Sequence, residues 1–183
     1  DMANLGGNDN KVAYYLPAMG GLSVGVAHTN ASAAGDSDTT DYGASYSMDA
    51  GGASVTIAGA SGTTENSTQD IDSQVIGVKV VQGNISAIVS QAEYEADGKD
   101  QQSTGATVAF KVSDAMKIAV FTAETEDDLT SEEYTNTGAE LNYTIASGLN
   151  AIINVEDYDY KIGTSSNTAD NGTHSKLTIK ATF

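Results

Sequence analysis

The chain has 183 residues, with 19 Gly, one Pro, no Cys, no Trp and a formal charge of −17 from 25 acidic and 8 basic side chains, all of the latter lysines. Without cysteine there is no disulfide framework and no thiolate zinc site. Neutralising phosphates needs clustered lysines and arginines, and eight lysines among 25 carboxylates with no arginine do not supply them, so nucleic acid is not expected as a partner. Nowhere do about 18 apolar residues follow one another, so no membrane-spanning helix is encoded.

Apolar and small polar residues instead alternate in short runs, the period of a strand with one apolar face. The first run sets Val12, Tyr14 and Leu16 against Ala13 and Tyr15 and ends at Pro17, where a missing N–H costs no interior ladder bond. Leu22, Val24 and Val26 follow, then Tyr42, Ala44, Tyr46 and Met48, then Val55 and Ile57, then Ile76, Val78 and Val80. A sixth run, Ile85 to Glu93, leaves its apolar face open. Ala106, Val108, Phe110 and Val112 mark a seventh strand opposite Thr107, Ala109 and Lys111, and Ile118 and Val120 an eighth opposite Lys117 and Phe121. Ala139 to Ile145, Leu149 to Val155 and Leu177 to Phe183 complete about eleven strands, an all-β chain.

The connectors alternate. Short turns are expected at 18–21, 49–52, 82–84, 113–115 and 147–148, and long loops at 29–41, 60–72, 95–103, 124–134 and 157–173. An antiparallel meander then has its tight turns at one end and its long loops at the other, the asymmetry of a transmembrane β-barrel. Most carboxylates fall in the long segments, among them Asp36, Asp38, Glu95, Asp100, Glu126, Asp127 and Asp128, and the apolar faces carry almost none. Charges at mid-bilayer on a lipid-facing surface cost about 2–4 kcal/mol, so this exclusion is what a membrane barrel requires. Asp36-Ser37-Asp38 and Glu126-Asp127-Asp128 lack the spacing of a calcium loop, so weak divalent-cation binding is all that they offer.

The last run, His174-Ser175-Lys176-Leu177-Thr178-Ile179-Lys180-Ala181-Thr182-Phe183, resembles the terminal strand by which Gram-negative outer-membrane proteins are recognised for assembly, with Leu177, Ile179 and Phe183 as the signal. Near the start, Gly6-Gly7-Asn8-Asp9-Asn10-Lys11-Val12-Ala13-Tyr14-Tyr15 is similar to the segment of general porins, alphaproteobacterial ones in particular, where the constriction loop gives way to the next strand. The resemblance covers the whole chain as loop and strand rhythm. It implies a single barrel domain over residues 1–183, with 1–10 the tail of the constriction loop.

An odd number of strands leaves the two chain ends on opposite sides, whereas bacterial barrels have an even number. The expectation is therefore the C-terminal part of a 16-stranded antiparallel up-and-down barrel, about five strands lying upstream. By resemblance the protein is a homotrimeric passive channel of the outer membrane for small hydrophilic solutes, embedded in the bilayer beside lipopolysaccharide, with no cofactor. Asp1, Asp9, Lys11, Lys79, Lys111, Lys117, Glu140, Glu156, Lys176 and Lys180 are its candidate pore-lining residues. The net charge predicts a weak preference for cations. Only His28 and His174 could act as histidine bases, and no nucleophile or metal spacing accompanies them, so catalysis is not expected. The other reading is an acidic surface adhesin or an autotransporter anchor. The first would lack the terminal pattern; the second would have fewer strands and a helix through the pore.

Overall fold

A computed structural model describes residues 10–30, 37–65, 70–163 and 168–182, and among them there is no helix. Eleven strands form one sheet in chain order, every neighbouring pair antiparallel. They are β1 (Asn10–Tyr15), β2 (Leu22–Asn30), β3 (Asp38–Ala50), β4 (Ala53–Glu65), β5 (Asp70–Gln82), β6 (Ile85–Ala96), β7 (Lys99–Lys111), β8 (Met116–Asp127), β9 (Glu132–Ala146), β10 (Leu149–Lys161) and β11 (Thr168–Ala181). Connections never skip a strand, as the alternation of turns predicts.

Directly opposed residues of antiparallel strands share a face, so the register sorts every side chain. Met48 faces Val55, and the row continues through Val80, Ala87, Val108, Val120, Ala139 and Val155. One residue along, the other face reads Ser47, Thr56, Lys79, Ile88, Thr107, Phe121, Gly138, Glu156 and His174. The open question of the sixth strand is thereby answered: Ile85, Ala87 and Val89 lie on the apolar face and Ile88 on the polar one.

The two faces differ in crowding. Ala27, Thr29, Thr39, Asp41, Ala109 and Asp127, all buried, lie on the polar face, while Val78, Val108, Val120, Ile153 and Ile179 are among the exposed hydrophobics of the other. A curved sheet crowds its concave side and opens its convex side, so the polar face is concave. The apolar residues point outward. Burial of a core cannot hold such a sheet in water; lipid against the convex face must take its place.

Apolar residues form a belt that crosses the hydrogen-bonded rows obliquely. Tyr46, near the middle of the β3 apolar run, leads along its row through Ile57, Val78, Val89, Ala106, Thr122, Thr137 and Asp157 to Thr173. That is well short of Ile179, the middle of the β11 run. A drift of roughly six residues over eight strands, at ~3.3 Å per residue and ~4.8 Å between strands, corresponds to strands inclined by roughly 30° to the normal of the belt. Barrel strands are tilted about 35–45°. The pattern of hydrophobicity thus carries the tilt.

The long loops expected from the sequence are, for the most part, strand. Ladder pairing continues past the apolar belt, through Asp38↔Glu65, Asp72↔Glu95, Glu95↔Asp100 and Glu126↔Glu133, so the strands are 12–15 residues long from β3 onward. The connection expected at 95–103 reduces to Asp97-Gly98, a tight hairpin turn with Gly98 at φ 79°. Alternation ends where the belt ends, because beyond it both faces meet water, but backbone pairing needs no apolar face. At the opposite end Gly51 (φ 66°) and Gly52 (φ 89°) turn β3 into β4, both in the left-handed region that a two-residue turn of this hand demands.

The oblique belt is testable within one register row. Val78→Lys is expected to destabilise the folded barrel in vesicles by about 2–4 kcal/mol and Thr173→Lys by about 0–1 kcal/mol, read from urea unfolding monitored by tyrosine fluorescence.

Candidate functional site

The concave face gathers the residues that sequence reasoning singled out. Lys11, Lys79, Lys111, Lys117, Glu140, Glu156, Lys176 and Lys180 all lie on it by register. Leu177 and Ile179 lie on the convex face of β11 and are more than half exposed. Asp1, Asp9 and Phe183 lie outside the described residues.

Some of these charges meet and others stand apart. Lys11 Nζ is 3.9 Å from the buried carboxylate of Asp41. Lys111 and Lys117 face each other directly, a like-charged pair whose repulsion is relieved by Asp114, 2.6 Å from Lys111 Nζ in the adjoining turn. The hydrogen bond and charge of Lys111 hold the Asp114 carboxyl below the usual carboxylate range. A carboxylate with a depressed pKa adds stability above its unfolded value, and that is lost only as pH falls through the depressed one, so the bridge persists at neutral pH. Glu156 lies 3.4 Å from His174 Nδ1. Glu140 and Lys176 flank Asn154 in a single row. Among the described residues Lys79, Lys117, Lys176 and Lys180 have no ion-pair partner.

The register also adds members that sequence reasoning missed. Lys99, Asp41, Asp49, Asp127, Glu132 and Asp170 share the concave face. Counting by parity from the apolar run of each strand reaches them, provided the strand is known to continue past the belt. The outcome is a segregation of charge. Seven of the eight lysines line the concave wall, where seven carboxylates balance them; Lys161 is the exception, on the convex face 2.6 Å from Glu133. The excess carboxylates lie on the convex face beyond the belt, as at Asp72, Glu93, Glu95, Glu124 and Asp159, or in connectors and beyond the described residues. Glu93 is surrounded there by the amides of Gln74, Gln91 and Gln102, which donate to it. Net charge therefore says little about the concave wall.

Two aromatic side chains on this wall, Phe121 and Tyr158, are folded against it. Phe121 faces Gly138, and a Cβ there would come within 2.6 Å of the Phe121 ring and 2.7 Å of the Val155 carbonyl oxygen. Tyr158 faces Gly172 in the same manner, and its ring also stacks on Tyr134 at 6.3 Å between centroids. Rings laid over glycines of the next strand fill the gap that glycine leaves and keep the concavity open.

The geometry thus presents a tilted meander with an apolar convex belt and a polar, charge-balanced concave wall. The sequence pattern of Gram-negative porins matches residues 1–179. The chain belongs to the Gram-negative porin family. Among solved structures, this porin chain is similar to the anion-selective porin of Comamonas acidovorans (TM-score 0.65, 16% identity), covering 92% of this chain and 54% of that one. It is similar also to OccAB2 of Acinetobacter baumannii (TM-score 0.76, 10% identity, 93% and 53% covered) and to OccD3 of Pseudomonas aeruginosa (TM-score 0.73, 8% identity, 92% and 54% covered). At such identities the likeness is one of fold. No curated protein matches the sequence. The chain spans about half the length of these solved porins, and the porin family places it in the outer membrane.

The chain has no cysteine, so single introduced thiols can map the two faces. In the membrane-embedded protein Lys117→Cys is expected to react with a charged, membrane-impermeant thiol reagent and Ile118→Cys to resist it. Equal labelling at the two positions would contradict the assignment of faces.

Proposed function

We propose that the full protein is a non-enzymatic, passive diffusion channel for small hydrophilic solutes and ions, in which the concave face described above is part of the pore wall. The observation that carries this reading is the segregation of side chains by face. Lysines and carboxylates occupy the concave side at the same heights at which the convex side is apolar, as at Lys79 beside Val78 and Lys117 beside Ile118. Such a wall needs water, and a closed barrel of about sixteen strands, a homotrimer in the membrane, would supply it. The eleven strands here account for most of that ring. Among the described residues β1 pairs only with β2 and β11 only with β10, and their outer edges would be untenable in lipid without further strands.

Selectivity is proposed to be weakly cationic. Balanced charge on the described wall gives neither sign an advantage, and the outlying carboxylates act on the mouth through a field that salt screens within about 8 Å. Planar-bilayer reversal potentials in a tenfold KCl gradient test this: a small shift toward the potassium potential is expected, growing as both salt concentrations are lowered. A dominant chloride permeability would overturn it. Replacing Lys79 and Lys176 together by Glu is expected to raise the potassium-to-chloride permeability ratio by roughly two- to fivefold while leaving assembly intact, since both side chains face water.

The convex carboxylates beyond the belt, at the depth of lipid headgroups, are proposed to meet lipopolysaccharide through divalent cations. These would be weakly held, because among the described residues no cluster of carboxylates and histidines able to hold a metal ion is formed. Chelation with EDTA is therefore expected to lower the heat stability of the barrel in native membranes and to leave it unchanged in detergent free of lipopolysaccharide, read from electrophoretic heat modifiability.

A further inference from the structure

We propose that Gly172 determines the free cross-section of the channel at the height of Tyr158, by giving that ring a place to lie against the wall. The inference rests on the concave face being a pore wall, as proposed above, and adds to it a residue that controls which solutes pass.

Three contacts hold Tyr158 down. Its direct cross-strand partner is Gly172, and a Cβ at that position would stand 3.3 Å from ring atoms Cε1 and Oη and 3.4 Å from Cζ. A Cβ there would press the ring back by a few tenths of an ångström, and a branched side chain by more. Its hydroxyl donates to Asp170 Oδ2 at 3.3 Å, two residues along β11 from the glycine. Tyr134 of β9 stacks on the ring from the other side, with the planes 23° apart. Tyr158 therefore spans sideways from its own strand over the next instead of standing into the concavity. On a strand, side chains ordinarily rise roughly perpendicular to the sheet.

Gly172 differs here from Gly138. At Gly138 an added Cβ meets the Val155 carbonyl, which is backbone and cannot yield; at Gly172 the three nearest atoms all belong to the Tyr158 ring, a side chain that can. Gly172 also lies in a strand and is absent from the residues with positive φ, so its backbone accepts a side chain. The ring would give way, and the strand would not. Once displaced, Tyr158 loses its seat and rises into the lumen, where a phenol ring takes up width that hydrated solutes need.

The test uses the full-length protein reconstituted in planar bilayers and in liposomes, comparing wild type with Gly172→Val, Tyr158→Ala and the double variant. Gly172→Val is expected to lower single-channel conductance by roughly a quarter and to slow the liposome influx of an uncharged trisaccharide by roughly half, because flux falls most steeply for solutes near the pore width. Tyr158→Ala leaves conductance at or slightly above wild type, and the double variant recovers the wild-type value. Recovery identifies the ring as the obstruction. A Gly172→Val channel that conducts like wild type overturns the inference while leaving the pore reading intact, as does a reduced conductance that Tyr158→Ala does not rescue. A wild-type protein that folds without conducting overturns the pore reading itself. Gly172→Ala, which displaces the ring less, gives the same ordering at smaller amplitude if the valine variant fails to assemble.

Discussion

In the interior of a bilayer no water is available to a peptide group, and an unpaired N–H or C=O costs several kcal/mol. Everything else in this chain follows from meeting that demand with strands. The eleven-stranded ladder pairs each strand with its sequence neighbour, so backbone groups are satisfied by contacts of short range along the chain, formed hairpin by hairpin. A ladder consumes the backbone and leaves the side chains free, alternating between two environments. The convex side chains take up lipid and the concave ones take up water. Neither face has to form a packed core, which is why a chain whose apolar residues are dispersed singly can still hold a definite structure.

Once alternation is fixed by the ladder, tilt is expressed in composition. The membrane is flat and the register rows are not parallel to it, so the apolar belt must step from row to row. Tyr46 and Thr173 share a row but not a depth, and a hydrophobic residue in the one place corresponds to a hydroxyl in the other. The same obliqueness explains why strands extend past the belt with charged residues on both faces, as at Glu126 and Asp127. There the ladder continues in water.

Much of this was legible in the residues. Period-two alternation marks every strand but the sixth, whose face it leaves open, the glycine-bearing turns Gly51-Gly52 and Gly148 mark one end, and parity carries Lys79, Lys111, Lys117, Glu140 and Lys176 to a common face. What could not be read lies where alternation ceases. Between 95 and 103 the pattern of Glu95, Asp97 and Asp100 is that of any solvated loop, although the backbone forms a tight hairpin; charge density reports exposure and is silent on hydrogen bonding. The pairing of Tyr158 with Gly172 was equally hidden. It depends on register across the connection at 162–167, which the periodicity of either strand alone does not define.

The segregation of charge has a consequence for how such a protein can change over generations. Along any one strand the residues of the concave face and those of the convex face occupy alternate positions, so a single-base change affects one set without touching the other. Glu93 and its glutamine neighbours lie on the convex face, while Ala92 and Tyr94, one step away, lie on the concave one, so a change at either leaves the other face as it was. The two faces can therefore change independently, as interleaved but separate alphabets.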